Sequence, residues 1–195
     1  MKQIKNLTLI AAAVLFANTS FAQMDSKMGS SKAVKSVTVG GAPMYPTKNI
    51  IENAVNSKDH TTLVAAVKAA GLVETLQGVG PFTVFAPTNE AFNMLPAGTV
   101  DNLLKPENKA MLTGILTYHV VAGRISSASL AEMIKAGNGK ATLKTVAGGN
   151  LYASMKGNKI IIWDEKGSMS MITIKDVNQS NGVIHVVDHV LMPKM

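Results

Sequence analysis

No cysteine occurs in the chain, which removes disulfides, thiol nucleophiles and a lipid-modified cysteine and leaves stability to an apolar core. Arginine occurs once, at Arg124, and aromatic residues make up only 5%. The lysines are scattered among helices and turns without forming a run. Nucleic-acid binding needs a clustered basic face with stacking aromatics, so nucleic acid is not expected as a partner. After the N-terminal segment, no apolar run reaches the ~18 residues of a membrane-spanning helix. Catalytic signatures are missing too: there is no HExxH pattern and no serine in a nucleophile elbow. Gly137-Asn138-Gly139-Lys140 lacks the upstream glycine and the following Ser or Thr of a phosphate-cradling loop, so it reads as a turn. These absences point away from an enzyme and imply no cofactor.

What is present begins with an export signature. Lys2 and Lys5 precede the apolar run Leu7 to Ala17, and Ser20-Phe21-Ala22 supplies the small residues read by a signal peptidase. Residues 1–22 are expected to be a removed signal peptide, and losing Lys2 and Lys5 lowers the formal net charge from +7 to +5. The expected location is therefore secreted, periplasmic or extracellular. Residues 23–44, rich in Ser, Gly and Lys, read as a flexible leader. The remainder, 45–193 with a two-residue tail at 194–195, is long enough for one domain with its own core.

Helical periodicity comes first along this domain. Thr47 is placed to cap a helix carrying Ile50, Ile51, Ala54 and Val55; Asp59 is placed to cap another carrying Leu63, Val67 and Ala70, stopped by Gly71. Phe82 to Phe85 reads as a short strand, followed by a helix capped by Thr88 with Phe92, Met94 and Leu95 inward. A helix opened by Pro106 buries Met111, Leu112, Ile115 and Leu116, and runs into a strand at Tyr118 to Val121. Ser129 and Glu132 have the spacing of a capping box. Beyond Gly137 the pattern becomes β: Thr142 to Ala147, Leu151 to Lys156, Lys159 to Trp163 and Met169 to Val177 are separated by hairpin-type turns. Asn181 to Pro193 closes the series as a strand of mostly β-branched residues. The fold class is α+β, with several helices in the N-terminal two thirds and an antiparallel sheet system in the last third.

Three segments together resemble the fasciclin domain family. Thr83 to Phe92 (TVFAPTNEAF) is similar to its first motif, Tyr118-His119 to its central pair, and Asn181 to Pro193 (NGVIHVVDHVLMP) to its second motif. The resemblance implies a single-domain secreted member of bacterial type, a wedge of β-sheet flanked by helices, used for adhesion or macromolecular interaction without shared catalysis or cofactor. It implies Thr83, Asn89, Asn181, Gly182 and His185 as residues that hold the fold. Some animal members bind integrins through an Asp-Ile pair and the Tyr-His region, to which Asp176-Val177 and Tyr118-His119 correspond. Valine replaces isoleucine here, so integrin binding is not carried over, but Tyr118, His119, Asp176 and Val177 mark a candidate interaction surface. The expected partner is an extracellular or envelope protein or polysaccharide. An alternative is a carrier of a small apolar ligand in the cleft between sheets and helices.

Single residues suggest chemistry as well. His185 and His189 would share a helical face as a metal pair, but on a strand their spacing separates them by ~13 Å, too far to share an ion. His185 and His119 read as buried and hydrogen-bonded, His189 as exposed, and His60 as surface. Asp176 and Asp188 invite a carboxylate pair, but nothing in the pattern brings them together. Met24, Met28, Met169 and Met171 form close pairs that would suit Cu(I), although methionine more often fills core gaps. Asn178-Gln179-Ser180 fits a glycosylation sequon and reads as turn residues.

Overall fold

A computed structural model describes residues 36–194. The signal peptide at 1–22, the leader residues 23–35 with Met24 and Met28, and Met195 lie outside the described residues.

Order begins earlier than composition suggested. β1 (Val37–Val39) and β2 (Ala42–Met44) pair as a hairpin whose turn, Gly40-Gly41, has φ of +58° and +75°. Val39 and Met44 are 1% and 2% exposed. The leader's last residues therefore belong to the fold: a glycine turn lets two short segments present one apolar side each, although their overall composition is poor in apolar residues.

The helices follow the expected periodicity, but several begin on a different cap. α1 (Ile50–Ala54) is capped by Asn49, which exchanges hydrogen bonds with Glu52 in a capping box, rather than by Thr47. Asp59 sits in a short 3₁₀ turn, Lys58–His60, and α2 (Thr61–Ala70) receives its cap from a distant side chain: Asn89 Oδ1 accepts the Thr62 N–H at 3.0 Å. Gly71 ends α2 in the left-handed region, as its position predicts. α3 (Val73–Gln77), β3 (Phe82–Pro87) and α4 (Asn89–Asn93) follow, with Thr88 capping α4 through the Ala91 N–H. α5 (Thr99–Leu103), α6 (Lys109–Tyr118), β4 (Val120–Ala122) and α7 (Ser127–Ala136) complete the middle of the chain. Ser126, not Ser129, caps α7, accepting the Ser129 N–H. Met94 and Met111, expected inward, are exposed.

β5 (Lys140–Lys144), β6 (Asn150–Lys156), β7 (Lys159–Trp163), β8 (Met169–Gln179) and β9 (Gly182–Val187) then form successive antiparallel pairs. The seven-stranded sheet runs β4-β3-β9-β8-β7-β6-β5. The sheet is mixed rather than wholly antiparallel, because β9 lies parallel to β3 from Phe82↔Gly182 to Pro87↔Val187. Its two edges meet again through a Val121↔Thr145 bridge and a Val146 N–H to Val120 carbonyl bond of 2.8 Å. One apolar cluster fills the space between α1 to α6 and the sheet; a second lies between α7 and the inward side chains of β5 to β8.

β9 is buried at every residue, as its composition predicts, but ends at Val187 rather than Pro193. A Cβ on Gly182 would stand 2.2 Å from the Phe82 carbonyl oxygen, so only glycine allows the parallel neighbour this close. Asn181 anchors the strand's entrance. Its Oδ1 accepts the Ile50 N–H at the start of α1 (3.0 Å), and its Nδ2 donates to the carbonyls of Leu76 (2.8 Å) and Gly78 (2.9 Å) at the end of α3. Removing that amide orphans several buried backbone groups at once, so Asn181→Ala should cost about 3 kcal/mol. In urea unfolding its midpoint should drop with the slope unchanged, while exposed Asn178→Ala stays within experimental scatter of the parent. Equal midpoints for the two variants would show that Asn181 anchors nothing.

Candidate functional site

The residues singled out by the motifs converge on the interior. Tyr118 is 0% exposed; its hydroxyl donates to the Asn150 carbonyl (2.7 Å) and accepts the Glu165 N–H (3.1 Å). Burial pushes the phenol up to about 12. His119, 3% exposed, donates from Nδ1 to the Ile115 carbonyl at 2.8 Å and accepts the Leu191 N–H on Nε2 at 3.0 Å. Those partners require the neutral ring, and burial lowers its pKa to about 4. Thr83 Oγ1 donates to the Gly123 carbonyl (2.7 Å) and accepts the Ile125 N–H (2.9 Å), tying β3 to the chain after β4. Asn89 ties α4 to the Lys58 carbonyl (2.8 Å) as well as to α2.

Asp176, Val177 and His185 meet at a bulge. Asp176 lies within the register shift between Ile174 and Val177 of β8, and it takes φ +57°, unusual for a residue with a Cβ. That turn aims its carboxylate at the start of α7, where it accepts the Ser127 N–H at 2.7 Å and the Ser127 hydroxyl. The Asp176 N–H donates to His185 Nδ1 (3.2 Å), and His185 Nε2 donates to the Ile125 carbonyl (2.9 Å). Aspartate, serine and histidine are close together, but the wiring is not that of a hydrolase: the serine meets the carboxylate, and both imidazole nitrogens are held by backbone. The same bonds leave His185 no lone pair for a metal. Among the described residues no group of three His, Cys, Asp or Glu side chains is arranged to hold an ion.

The candidate surface of Tyr118, His119, Asp176 and Val177 is therefore corrected. Tyr118, His119 and Val177 are buried, and the Asp176 carboxylate is engaged at a helix start. Adjacent residues in a signature motif need not share an exposed face when an aromatic and an imidazole serve as internal hydrogen-bonding spacers.

His60 also differs from its surface reading. It is 2% exposed, its Nδ1 pairs with the Ser57 hydroxyl at 2.9 Å, and its Nε2 completes no hydrogen bond. Burial lowers its pKa, opposed in part by the nearby Ala86 carbonyl. His60 borders an apolar cavity of about 70 Å³ shared with Leu63, Phe85 and His119. That is less than half of the ~150 Å³ that admits benzene, too little for a lipid chain.

Asp188 is far from Asp176. Burial alone would raise its carboxyl, but bonds from His189, the Met171 N–H and the Ser170 hydroxyl outweigh it and hold the pKa below the ordinary value. Asp188 bonds Met171 near the start of β8, and Asp176 lies five strand residues further, roughly 15 Å away. His189 is exposed beside Asp188, and Met169 and Met171 border a groove with both. Asn178 and Gln179 of the sequon are the last two residues of β8, Asn178 exposed and Gln179 buried.

Sequence reasoning missed the outward face of β5 to β7. Tyr152 and Trp163 stand directly opposite each other, and Trp163 Nε1 donates to the Ser154 hydroxyl at 2.8 Å. Lys140 Nζ lies 3.9 Å from the centre of the Tyr152 ring. Lys144, Lys156 and Lys159 complete the exposed positions. The signal was available in the alternation of KATLK and NLYASMK, which places every second residue on one side.

A family model for the fasciclin domain matches residues 58–193. The chain belongs to the fasciclin family. Protein sll1483 of Synechocystis sp. is 47% identical over 161 residues, covering 83% of this chain and 82% of that one. Immunogenic protein MPB70 of Mycobacterium bovis is 37% identical over 145 residues, covering 72% and 66%. A FAS1 domain pair from the insect cell adhesion molecule Fasciclin I superposes with a TM-score of 0.68 over 80% of this chain and 57% of that chain, at 15% identity. At that identity the likeness establishes the fold, in agreement with the α+β expectation.

The buried imidazoles of this fasciclin domain make it acid-sensitive. His60, His119 and His185 all have folded pKa values below the unfolded 6.5. Above that value neither state binds the proton; below it the unfolded chain does and the folded chain resists, so stability falls as the pH drops. For His119, between 6.5 and about 4, the loss is about 3 kcal/mol. Urea midpoints should fall clearly between pH 7.5 and pH 5, and an unchanged midpoint would contradict neutral buried rings. At pH 7.5, His185→Ala should lower the midpoint and His189→Ala should leave it in place; equal effects would show the buried face is misassigned.

Proposed function

We propose that this protein is an exported fasciclin domain acting without catalysis or cofactor as an adhesion or interaction module at the cell surface or in the extracellular matrix, after removal of residues 1–22. The observation that carries the reading is the fasciclin match over residues 58–193. It is supported by the fold shared with a cell adhesion molecule. It is also consistent with the use of the motif side chains: Thr83, Asn89, Tyr118, His119, Asn181 and His185 bond internal partners, which leaves recognition to the outer surface. Among the described residues no helix is long and apolar enough to cross a membrane. An apolar-ligand carrier draws no support from a cavity of about 70 Å³.

The processed protein, incubated at micromolar concentration with envelope and matrix fractions of the producing cell, should co-sediment with one of them and be crosslinked to a macromolecule there. Absence of any co-sedimentation would overturn the proposal.

A further inference from the structure

Between Glu132 and Asp164 the chain contains lysines at 135, 140, 144, 156 and 159 and not one acidic residue. In sequence these lysines look dispersed. The hairpins of β5, β6 and β7 gather four of them on one solvent face: Lys140 and Lys144 alternate outward on β5, while Lys156 and Lys159 stand directly opposite each other across β6 and β7. Like charges in opposing strand positions repel. Among the described residues no ion pair involves them; Lys140 lies over the Tyr152 ring, and Asp188 borders a groove with Lys156 and Lys159.

The acids adjoining this face are already engaged. Asp164 accepts the N–H groups of Lys166, Ser168 and Met192 at 2.8 to 3.0 Å, and Glu165 accepts the Asn150 N–H at 2.9 Å. Beside Lys140 lies an open groove of about 840 Å³, lined also by Tyr152, Ser154, Trp163 and Lys194, with Asp164 and Glu165 in its wall, while Lys156 and Lys159 border a neighbouring groove. The Ser154 hydroxyl holds the Trp163 indole in place beside Lys140, whose ammonium lies over the Tyr152 ring. Aromatic faces stack well on the C–H faces of pyranose rings, and a groove of this size falls in the ~300–1,000 Å³ range of ligand clefts.

We infer that the outward face of β5 to β7 docks a carboxylate-bearing polysaccharide, with sugar rings against Trp163 and carboxylates on Lys140, Lys144, Lys156 and Lys159. No arginine fork for bidentate phosphate binding lies on this face. Phosphate recognition draws on the bidentate fork of arginine, and the sole arginine, Arg124, donates instead to the carbonyls of Gly182, Gln179 and Ser180. This assignment rests on the reading of the protein as an interaction module and names the chemistry of its partner.

The test is binding of the processed protein to polygalacturonate at low salt, with dextran, single-stranded DNA and phosphatidylglycerol vesicles as comparisons. Polygalacturonate should bind and dextran should not, and binding should weaken as salt rises. A Lys140→Gln, Lys156→Gln, Lys159→Gln triple variant removes exposed groups only, should keep its urea midpoint, and should bind about tenfold more weakly. Trp163→Leu keeps an apolar side chain but loses the ring face and should also bind more weakly. No binding to polygalacturonate, equal binding by the triple variant, or tighter binding to DNA or vesicles would each overturn the inference. If envelope co-sedimentation persists while polygalacturonate fails, only this assignment falls; if both fail, the interaction module falls with it.

Discussion

The structure depends on one strand being buried on both sides. β9 arrives last in the chain and is inserted between β3 and β8, so its backbone groups can be satisfied only if those neighbours are already in register. Around it the polar residues serve as anchors. Asn181 holds the starts and ends of two helices, Arg124 covers the carbonyls of the β8–β9 turn, and Gly182 gives β3 room to approach. Each compensates backbone groups that the close packing of β9 removes from water, and each acts across a long sequence separation. Loss of one anchor therefore loosens several elements together.

The histidines extend the same logic. His119 and His185 are wired between backbone donors and acceptors that demand one neutral tautomer each, and they hold the chain beyond β9 and the bulge of β8. A protein without cysteine has no disulfide staple, so specific buried polar bonds take over the task of defining one arrangement of core and sheet. The same wiring explains why the most recognisable residues of the family are not exposed. What faces solvent instead is a lysine-rich, aromatic-lined sheet face with few internal obligations.

Much of the framework was legible in the chain. Period-2 and period-3.6 patterns located α2, α6, β6 and β7 closely, and the β-branched run marked β9 as buried. Cap positions were less legible, because Thr47, Asp59 and Ser129 are as suitable by residue type as Asn49 and Ser126; which one caps is decided by where the helix must start to bury its apolar face. The hairpin of β1 and β2 was hidden in a polar, glycine-rich stretch. His60 was unreadable for a similar reason: a 3₁₀ turn gives no periodic signal of which side is covered.

By itself the sequence determined the absence of covalent staples, the order of the elements, the three signature segments and the apolar character of β9, because these depend only on residue type and local spacing. Only the tertiary structure decided that β9 runs parallel to β3, that Tyr118 points inward, and that dispersed lysines share one face with Tyr152 and Trp163. The reason is physical. Local periodicity states that a side chain faces a core or the solvent, but not which segment lies opposite. That choice depends on contacts such as Asn181 with Ile50, 131 residues apart, which exist only once the whole chain has closed.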